Sequence, residues 1–358
     1  MKKAVYQQLA RQLDKLPNGF PETKSGVELK LLAKIFEPQE AAAAAVMRLN
    51  CETAGVIAER IQQEVQPTYE TLKNMTRKGL IRIQRKEGEL RFGLMPFVVG
   101  FYEEQLPRLD EEMAALFEQY FLETRGFQQE KPPVHRVIPV EESIPWELEI
   151  FPSQRASELI EGAKSWGVRK CICRVQQQLI GQACEHPIEN CLVFAPVEGA
   201  FDHSDVTRAV SLEEALRILH EAKASGLVHT TGNYAGPHHY ICNCCTCSCG
   251  ILRGVTEFDL PTAIARSRFS AKVDQERCLA CEDCLTACQF GALSFPADGC
   301  LVDETKCVGC GLCAAVCPAE AMCLEARPAS EFEPIPETIK DWNQRRAEER
   351  GISLEDIF

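Results

Sequence analysis

The chain has 358 residues, a formal net charge of −13 and 20 cysteines, and its length allows two or three domains with separate cores. Its first residues, MKKAVYQQLARQLDKL, carry no continuous apolar run and no small-residue cleavage site, so no secretory signal is expected there, and its most apolar stretch, FGLMPFVVGFY, is about half the length of a membrane helix. A cytoplasmic protein without a membrane span is expected, and in that reducing compartment dense cysteines imply metal binding or redox chemistry rather than a disulfide scaffold.

Charge and cysteine divide the chain unevenly. Residues 1–95 hold 16 Lys and Arg against 11 Asp and Glu, a local charge of +5, and the remainder carries −18. Cys51 stands alone ahead of residue 171, and the other nineteen cysteines lie between Cys171 and Cys323. A mildly basic head on an acidic body implies separate tasks for the two halves.

In the head, Leu29, Leu32, Ile35 and Phe36 recur at helical spacing. Pro38 then opens an alanine-rich helix, Thr53 is an N-cap for the next, and Pro67 to Gly79 brackets a fourth. After them Ile81, Ile83, Leu90, Phe92 and Leu94 alternate with polar residues across a Lys-Glu-Gly-Glu turn, which predicts a hairpin. Helices followed by a basic hairpin resemble a winged helix-turn-helix domain, with TYETLKNMTRKGLIRI as recognition helix and wing. The resemblance implies phosphate contacts from Lys73, Arg77, Lys78, Arg82, Arg85, Lys86 and Arg91 if the head binds DNA. Against this stand Glu70 on the same helix and the reading of the wing cations as a solvated strand face.

One or two amphipathic helices are expected from Pro96 to Phe127, with Leu116, Phe117, Tyr120 and Phe121 as packing core. Residues 128–145 are proline-rich, lack helical period and read as a linker, placing a boundary near residue 130.

Nine cysteines follow in two groups: Cys171, Cys173, Cys184 and Cys191, then Cys242, Cys244, Cys245, Cys247 and Cys249. Between them, Ser211 and Glu214 form a capping box, Leu212, Ala215, Leu216 and Leu219 repeat at helical spacing, and Gly226 stops the helix. This helix is read as scaffold joining the two groups into one site. A C-x-C pair does not readily place both sulfurs on one iron, but it reaches two corners of a cluster. Three contents remain open: one further Fe–S cluster with spare thiols, two clusters or a non-cubane centre, or zinc. His186, His229, His238 and His239 read as surface or satisfied histidines. Arg169, Lys170 and Arg174 either offset cluster charge or are solvated, and solvation is the default.

The strongest signal lies at 278–317. CLACEDCLTACQFGALSF and CVGCGLCAAVCPAEAMCL align at an offset of 29 residues, and each contains C-x2-C-x2-C-x3-C. This resembles bacterial-type two-cluster ferredoxins, in which the fourth cysteine of each run ligates the other run's cluster. The resemblance implies Cys278, Cys281, Cys284 and Cys317 on cluster I, and Cys307, Cys310, Cys313 and Cys288 on cluster II. Small residues at Ala280, Gly309 and Gly311 are read as letting the backbone approach the cluster. Pro318 follows the last cysteine of the second run, but Gln289 stands in the first. Cys300 and Cys323 fall outside the pattern and read as packing residues.

The chain as a whole is similar to anaerobe-type 4Fe-4S proteins that join a winged-helix-like head, a CxCR…CNCC region and a C-terminal ferredoxin. The expected architecture is α+β and multidomain: a winged-helix-like domain with helical extension at 1–130, a cysteine-rich domain at 131–265, a two-cluster ferredoxin domain at 266–330 and a charged tail at 331–358. No nucleotide-binding glycine motif, flavin fingerprint or nucleophile triad is present, and no residue is assignable as catalytic. The expected function is electron transfer, as a protein or oxidoreductase subunit exchanging single electrons with a redox partner protein; the alternative is a redox-responsive DNA-binding regulator.

Overall fold

A computed structural model describes residues 2–125, 130–144, 155–296, 299–331 and 333–358. The chain forms two units, one of Met1–Lys131, Leu179–Gln182 and Asn343–Phe358, the other of Pro132–Gln178 and Ala183–Trp342.

The first unit begins with helices α1 (Lys2–Asp14), α2 (Val27–Ile35) and α3 (Pro38–Ala44), the last with Pro38 at its first position, where the missing N–H costs nothing. Strand β1 (Glu52–Thr53) leads into α4 (Ala54–Ile61), whose N-cap is Thr53, accepting from the Val56 amide at 3.5 Å. Helix α5 (Val65–Arg77) starts two residues before Pro67 and stops ahead of Gly79, which sits at φ 67°. Strands β2 (Ile81–Lys86) and β3 (Glu89–Leu94) form the hairpin, and the sheet order is β1-β3-β2. The helical extension is shorter than expected. Val98 and Val99 are extended, so a long helix begins only at α6 (Glu111–Glu123), capped by Asp110 accepting from the Met113 amide at 2.8 Å. Phe117, Tyr120 and Phe121 are buried, Tyr102 stacking on Phe117 at 4.0 Å between ring centroids.

The C-terminal residues 343–358, read from sequence as part of a charged tail, contribute to this unit's core. Arg346 is fully buried and donates to the carbonyls of Pro17 (2.9 Å) and Glu130, and Ile357 is fully buried. Helical spacing alone does not distinguish a charged helix in water from one that inserts one of its two arginines among carbonyls.

The second unit is built on a seven-stranded sheet. Its strands are β4 (His135–Ile138), β5 (Ser165–Lys170), β6 (Glu189–Ala195), β7 (Arg208–Val210), β8 (Val228–Gly232), β9 (Tyr240–Cys244) and β10 (Ile264–Ala265), in the order β10-β4-β8-β9-β6-β5-β7. Only the β10–β4 pair is parallel. Strand β4 lies in the stretch read as a linker and is wholly buried; two prolines on each side masked a four-residue strand. Residues 128–129 and 145 of that stretch lie outside the described residues.

The two faces of the sheet carry different chemistry, because side chains alternate along a strand. On one face, α7 (Ala156–Glu161) and α9 (Leu212–Ala224) pack Ile160, Ala215 and Ile218 against Ile138, Val168, Leu192, Phe194 and Ile241. On the other, Val137, Val228 and Cys244 pack with Cys249 and with Ile251 and Leu252 of α10 (Gly250–Phe258). Helix α8 (Ile172–Leu179) follows β5 and carries Cys173 and Arg174.

After β10 come β11 (Phe269–Val273), helix α11 (Asp283–Ala287), β12 (Leu293–Ser294), β13 (Leu301–Val302), helix α12 (Leu312–Ala315) and β14 (Met322–Ala326). Strand β11 pairs with β14 and β12 with β13, all antiparallel. The first strand of each repeat thus pairs with the last strand of the other. A final helix, α13 (Ile339–Glu349), leads back into the first unit at Asn343. Among the described residues no helix is long and apolar enough to cross a membrane.

Candidate metal centres

The 29-residue repeat is a repeat of backbone geometry. Ala280 and Glu282 adopt left-handed conformations (φ 51° and 64°), and so do their counterparts Gly309 and Gly311 (φ 72° and 79°). Each loop therefore curls in the same sense before its short helix. Asp274 accepts from the Glu276 amide and Asp303 from the Thr305 amide, at 3.0 and 2.9 Å, so the same turn precedes each cysteine run.

Four thiols line one pocket: Cys278, Cys281 and Cys284 of the first run with Cys317 of the second, beside Leu279, Phe295 and Met322. The other four sit together as well. Burial pushes the Cys310 thiol up to about 12, reinforced by Cys288 and Cys307; Cys313 is raised by burial and then by Cys310, Cys307 and Cys288. Backbone amides already aim at sulfur, Ala271 N–H at Cys307 Sγ (3.4 Å) and Ala321 N–H at Cys317 Sγ (3.3 Å). Such donors stabilise a thiolate. Softness of the donors, amides directed at them and loops curled around a small chamber all fit an iron–sulfur cluster.

Gly309 and Gly311 also meet a requirement set by protein neighbours. A Cβ on Gly309 would collide with the Phe269 carbonyl and Ser267, and one on Gly311 would come within 2.9 Å of Ser143 Cβ. Both glycines admit strapping segments: Ser267 Oγ donates to Gly309 O and Ser143 Oγ to Gly311 O, each at 2.7 Å. Arg327, also buried, donates to the carbonyls of Phe269 (2.9 Å) and Cys307 (2.8 Å) and holds the same loop. Cys300 is fully buried against Cys284, its thiol pushed up to about 12 by burial, and Cys323 is half-buried on β14.

The middle cysteines divide into six and three. Cys171, Cys173, Cys249, Cys244, Cys242 and Cys191 form a closed ring in which each thiol hydrogen-bonds the next and the last returns to the first. Hydrogen bonds from the flanking thiols hold Cys171 well below the usual thiol range and Cys244 down to about 6; these two sit opposite each other, and the remaining four are raised. The other three, Cys184, Cys245 and Cys247, have sulfurs within 4.8 Å of one another. Cys245 and Cys247 are a C-x-C pair, so here the spacing brings two sulfurs closer than the sequence suggested.

Arg174 departs from the default of solvation. It is 3 % exposed, donates to Pro187 O (2.9 Å), Asn190 Oδ1 (2.8 Å) and Asn243 O (2.7 Å), and faces Cys171, Cys245 and Cys244. Its neighbouring thiols raise its pKa despite burial. One turn of α8 turns this cation inward from the C-x-C-R sequence, and no periodicity signals that. Of the histidines, His229 is buried and shares a 2.6 Å bond with Asn243, His238 is buried against Arg136 and Thr231, and His239 is exposed. Gln289, the departure from proline, accepts from the Thr246 amide at 2.7 Å and donates to Gly226 O. It ties the first C-terminal run to the loop between Cys245 and Cys247.

The C-terminal and middle cysteines meet in one core. Cys242, Cys288 and Cys310 pack against the buried group that contains Cys244, Cys249, Phe290, Val308 and Leu312.

In the head, several cations expected to face phosphate are engaged by protein. Lys78 pairs with buried Glu40 at 2.8 Å, Arg82 donates to Leu49 O, and Lys73 lies 3.8 Å from Glu70. Arg77, Arg85 and Lys86 are exposed, and Arg91 is half-buried.

The 4Fe-4S binding domain family matches residues 301–323, the second cysteine run with its two flanking strands. That match implies binding of a [4Fe–4S] cluster and, in general terms, iron–sulfur electron transfer. No curated protein and no solved structure matches the chain.

Proposed function

We propose that the protein is an electron-transfer protein, or the electron-transfer subunit of an oxidoreductase, relaying single electrons through two [4Fe–4S] clusters and a further centre in the middle region. The observation that carries this reading is the shared core of Cys288, Cys310, Cys242, Cys244 and Cys249. Proposed ligands of cluster II there adjoin the ring of six thiols, so the proposed centres share one apolar core.

Bound cubanes supply a one-electron couple, with a potential set by charge, hydrogen bonds to sulfur and solvent access. The chain's own residues act on those terms. Cys278, Cys281, Cys284 and Cys317 would hold cluster I near the surface, where Cys281 is exposed, and Cys307, Cys310, Cys313 and Cys288 would hold cluster II deeper. The amides of Ala271 and Ala321 lower the negative charge on Cys307 and Cys317. Arg174 offsets the thiolate charge of the ring. The acidic remainder of the chain suits docking on a basic partner surface, through the exposed edge of cluster I.

The regulator reading has less support, because Lys78 and Arg82 are engaged by protein partners within the head, which leaves Arg77, Arg85 and Lys86 as the exposed candidates with no such engagement described. Iron and sulfide analysis with EPR on oxygen-free protein tests the electron-transfer proposal. Cys284→Ser should remove about four irons, whereas Cys300→Ser should remove none. Equal loss from both, or a wild-type chain holding only one cluster in total, would refute the ligand scheme. No shift of duplex DNA at low salt would close the regulator reading.

A further inference from the structure

We infer that Cys184, Cys245 and Cys247 form a mononuclear zinc site, separate from every iron–sulfur centre and open at its fourth position. The inference goes beyond electron relay and stands or falls without it.

Distance separates this trio from the other thiols. A tetrahedral zinc with Zn–S bonds of about 2.3 Å holds its sulfurs about 3.8 Å apart. The three sulfurs already lie within 4.8 Å of one another, so sub-ångström adjustments complete the site. Among the described residues no other three Cys, His, Asp or Glu ligand atoms come so close together. A cubane demands the opposite arrangement, each thiolate on a different iron and the sulfurs correspondingly further apart. Among the described residues neither the ring of six nor the two C-terminal sets holds three sulfurs all within 4.8 Å of one another, and the trio does.

The loop is also built. The Cys249 amide donates to Cys245 O at 3.0 Å, and Gln289 accepts from Thr246 N–H, so the turn that carries the C-x-C pair is held at Cys245 and at Thr246. Arg174 hydrogen-bonds Cys245, and the His186 amide donates to Cys184. Ser248, 2 % exposed, places its hydroxyl 3.5 Å from Cys184 Sγ. Cys247 is exposed and Cys184 half-buried, so the trio opens outward. Three protein thiolates leave one position for water or for a ligand from solution, the pattern of zinc sites that bind small molecules. Zinc displaces the three thiol protons on entry, and no electron is exchanged.

Zinc, iron and sulfide per chain, measured by mass spectrometry and colorimetry on full-length protein prepared without oxygen and supplied with Zn²⁺, test the inference. One zinc per chain is expected, lost in Cys247→Ser and Cys184→Ser while iron and sulfide stay at the wild-type ratio. Retained iron in those variants also reports that they fold. Wild-type protein loaded with Co²⁺ in place of zinc should show thiolate-to-cobalt charge transfer and tetrahedral d–d bands, independently of any variant. Absence of stoichiometric zinc, zinc retained in both variants, octahedral cobalt spectra, or iron falling together with zinc would each overturn it.

Discussion

Arg174 is the residue on which the electrostatics of the middle region turn. A guanidinium buried to 3 % is tolerable only when its donors are used and anionic partners are close. Here three carbonyl-type acceptors take both terminal nitrogens and a group of thiols lies close, while the buried Nε has no hydrogen-bond partner. Arg174→Met should therefore cost roughly 3–5 kcal/mol, since it strands those acceptors and leaves the thiolates uncompensated. Arg174→Lys should recover only part, because one ammonium does not reproduce the planar fork; urea midpoints of oxygen-free protein check both. The buried histidines carry a pH dependence. Burial lowers His135 and His229 to about 4 and His238 to about 3, from an ordinary value of 6.5. The unfolded chain binds protons there that the folded chain refuses. Stability is fully present above 6.5 and is lost as pH falls from 6.5 toward 4, by up to about 3 kcal/mol per histidine. Unfolding midpoints at about pH 7 and about pH 5 should differ in that direction, and His229→Gln should reduce the difference.

At the scale of elements, strand β9 explains how one short run serves two faces. In Tyr240–Cys244, Ile241 and Asn243 point to the helix-covered side, and Cys242 and Cys244 to the other, as pleating requires. The ladder ends at Cys244, and the turn through Cys245 and Cys247 swings the next two thiols out of that plane. Five thiols in eight positions are thereby shared between a ring and a trio. The C-terminal loops depend on a different constraint, close passage of strapping segments. Gly309→Ala would set a methyl against the Phe269 carbonyl and Ser267 at a left-handed φ of 72°. It should displace Cys310 and lower iron by about four per chain. Gly291→Ala, left-handed but with open space around it, should cost only about 1 kcal/mol and leave iron intact. Iron analysis of the two variants side by side distinguishes a packing requirement from a purely conformational one.

At the scale of the molecule, the two units use charge differently. The first ends its core with its last sixteen residues, where Arg346 caps the carbonyls of Pro17 and Glu130 and Ile357 fills an apolar site. Deleting Asn343–Phe358 should lower the thermal transition of that unit by at least about 5 °C, through loss of a buried isoleucine and of those hydrogen bonds. Iron and sulfide should be unchanged, because every cysteine proposed to hold a cluster or zinc lies in the second unit. Calorimetry beside iron analysis reads both results. Parallel loss of iron would mean that the units do not hold their structure independently.

Local chemistry was legible where a physical requirement repeats at short range. The second C-x2-C-x2-C-x3-C run, which the 4Fe-4S binding domain family matches, announced iron–sulfur chemistry, since a cluster needs thiolates at fixed steps along one loop. Thr53 and Ser211 announced helix starts because a cap is a contact three residues long. The charged C-terminal helix, strand β4 and the inward turn of Arg174 were not legible in that way, because each depends on partners tens or hundreds of residues distant. The same holds for the nine middle thiols. Sequence alone determined that they are too many for one cubane. Only the tertiary structure decided their division into a ring of six and a trio, because the division is set by which sulfurs the sheet, α8 and the 245–249 turn bring within reach of one another.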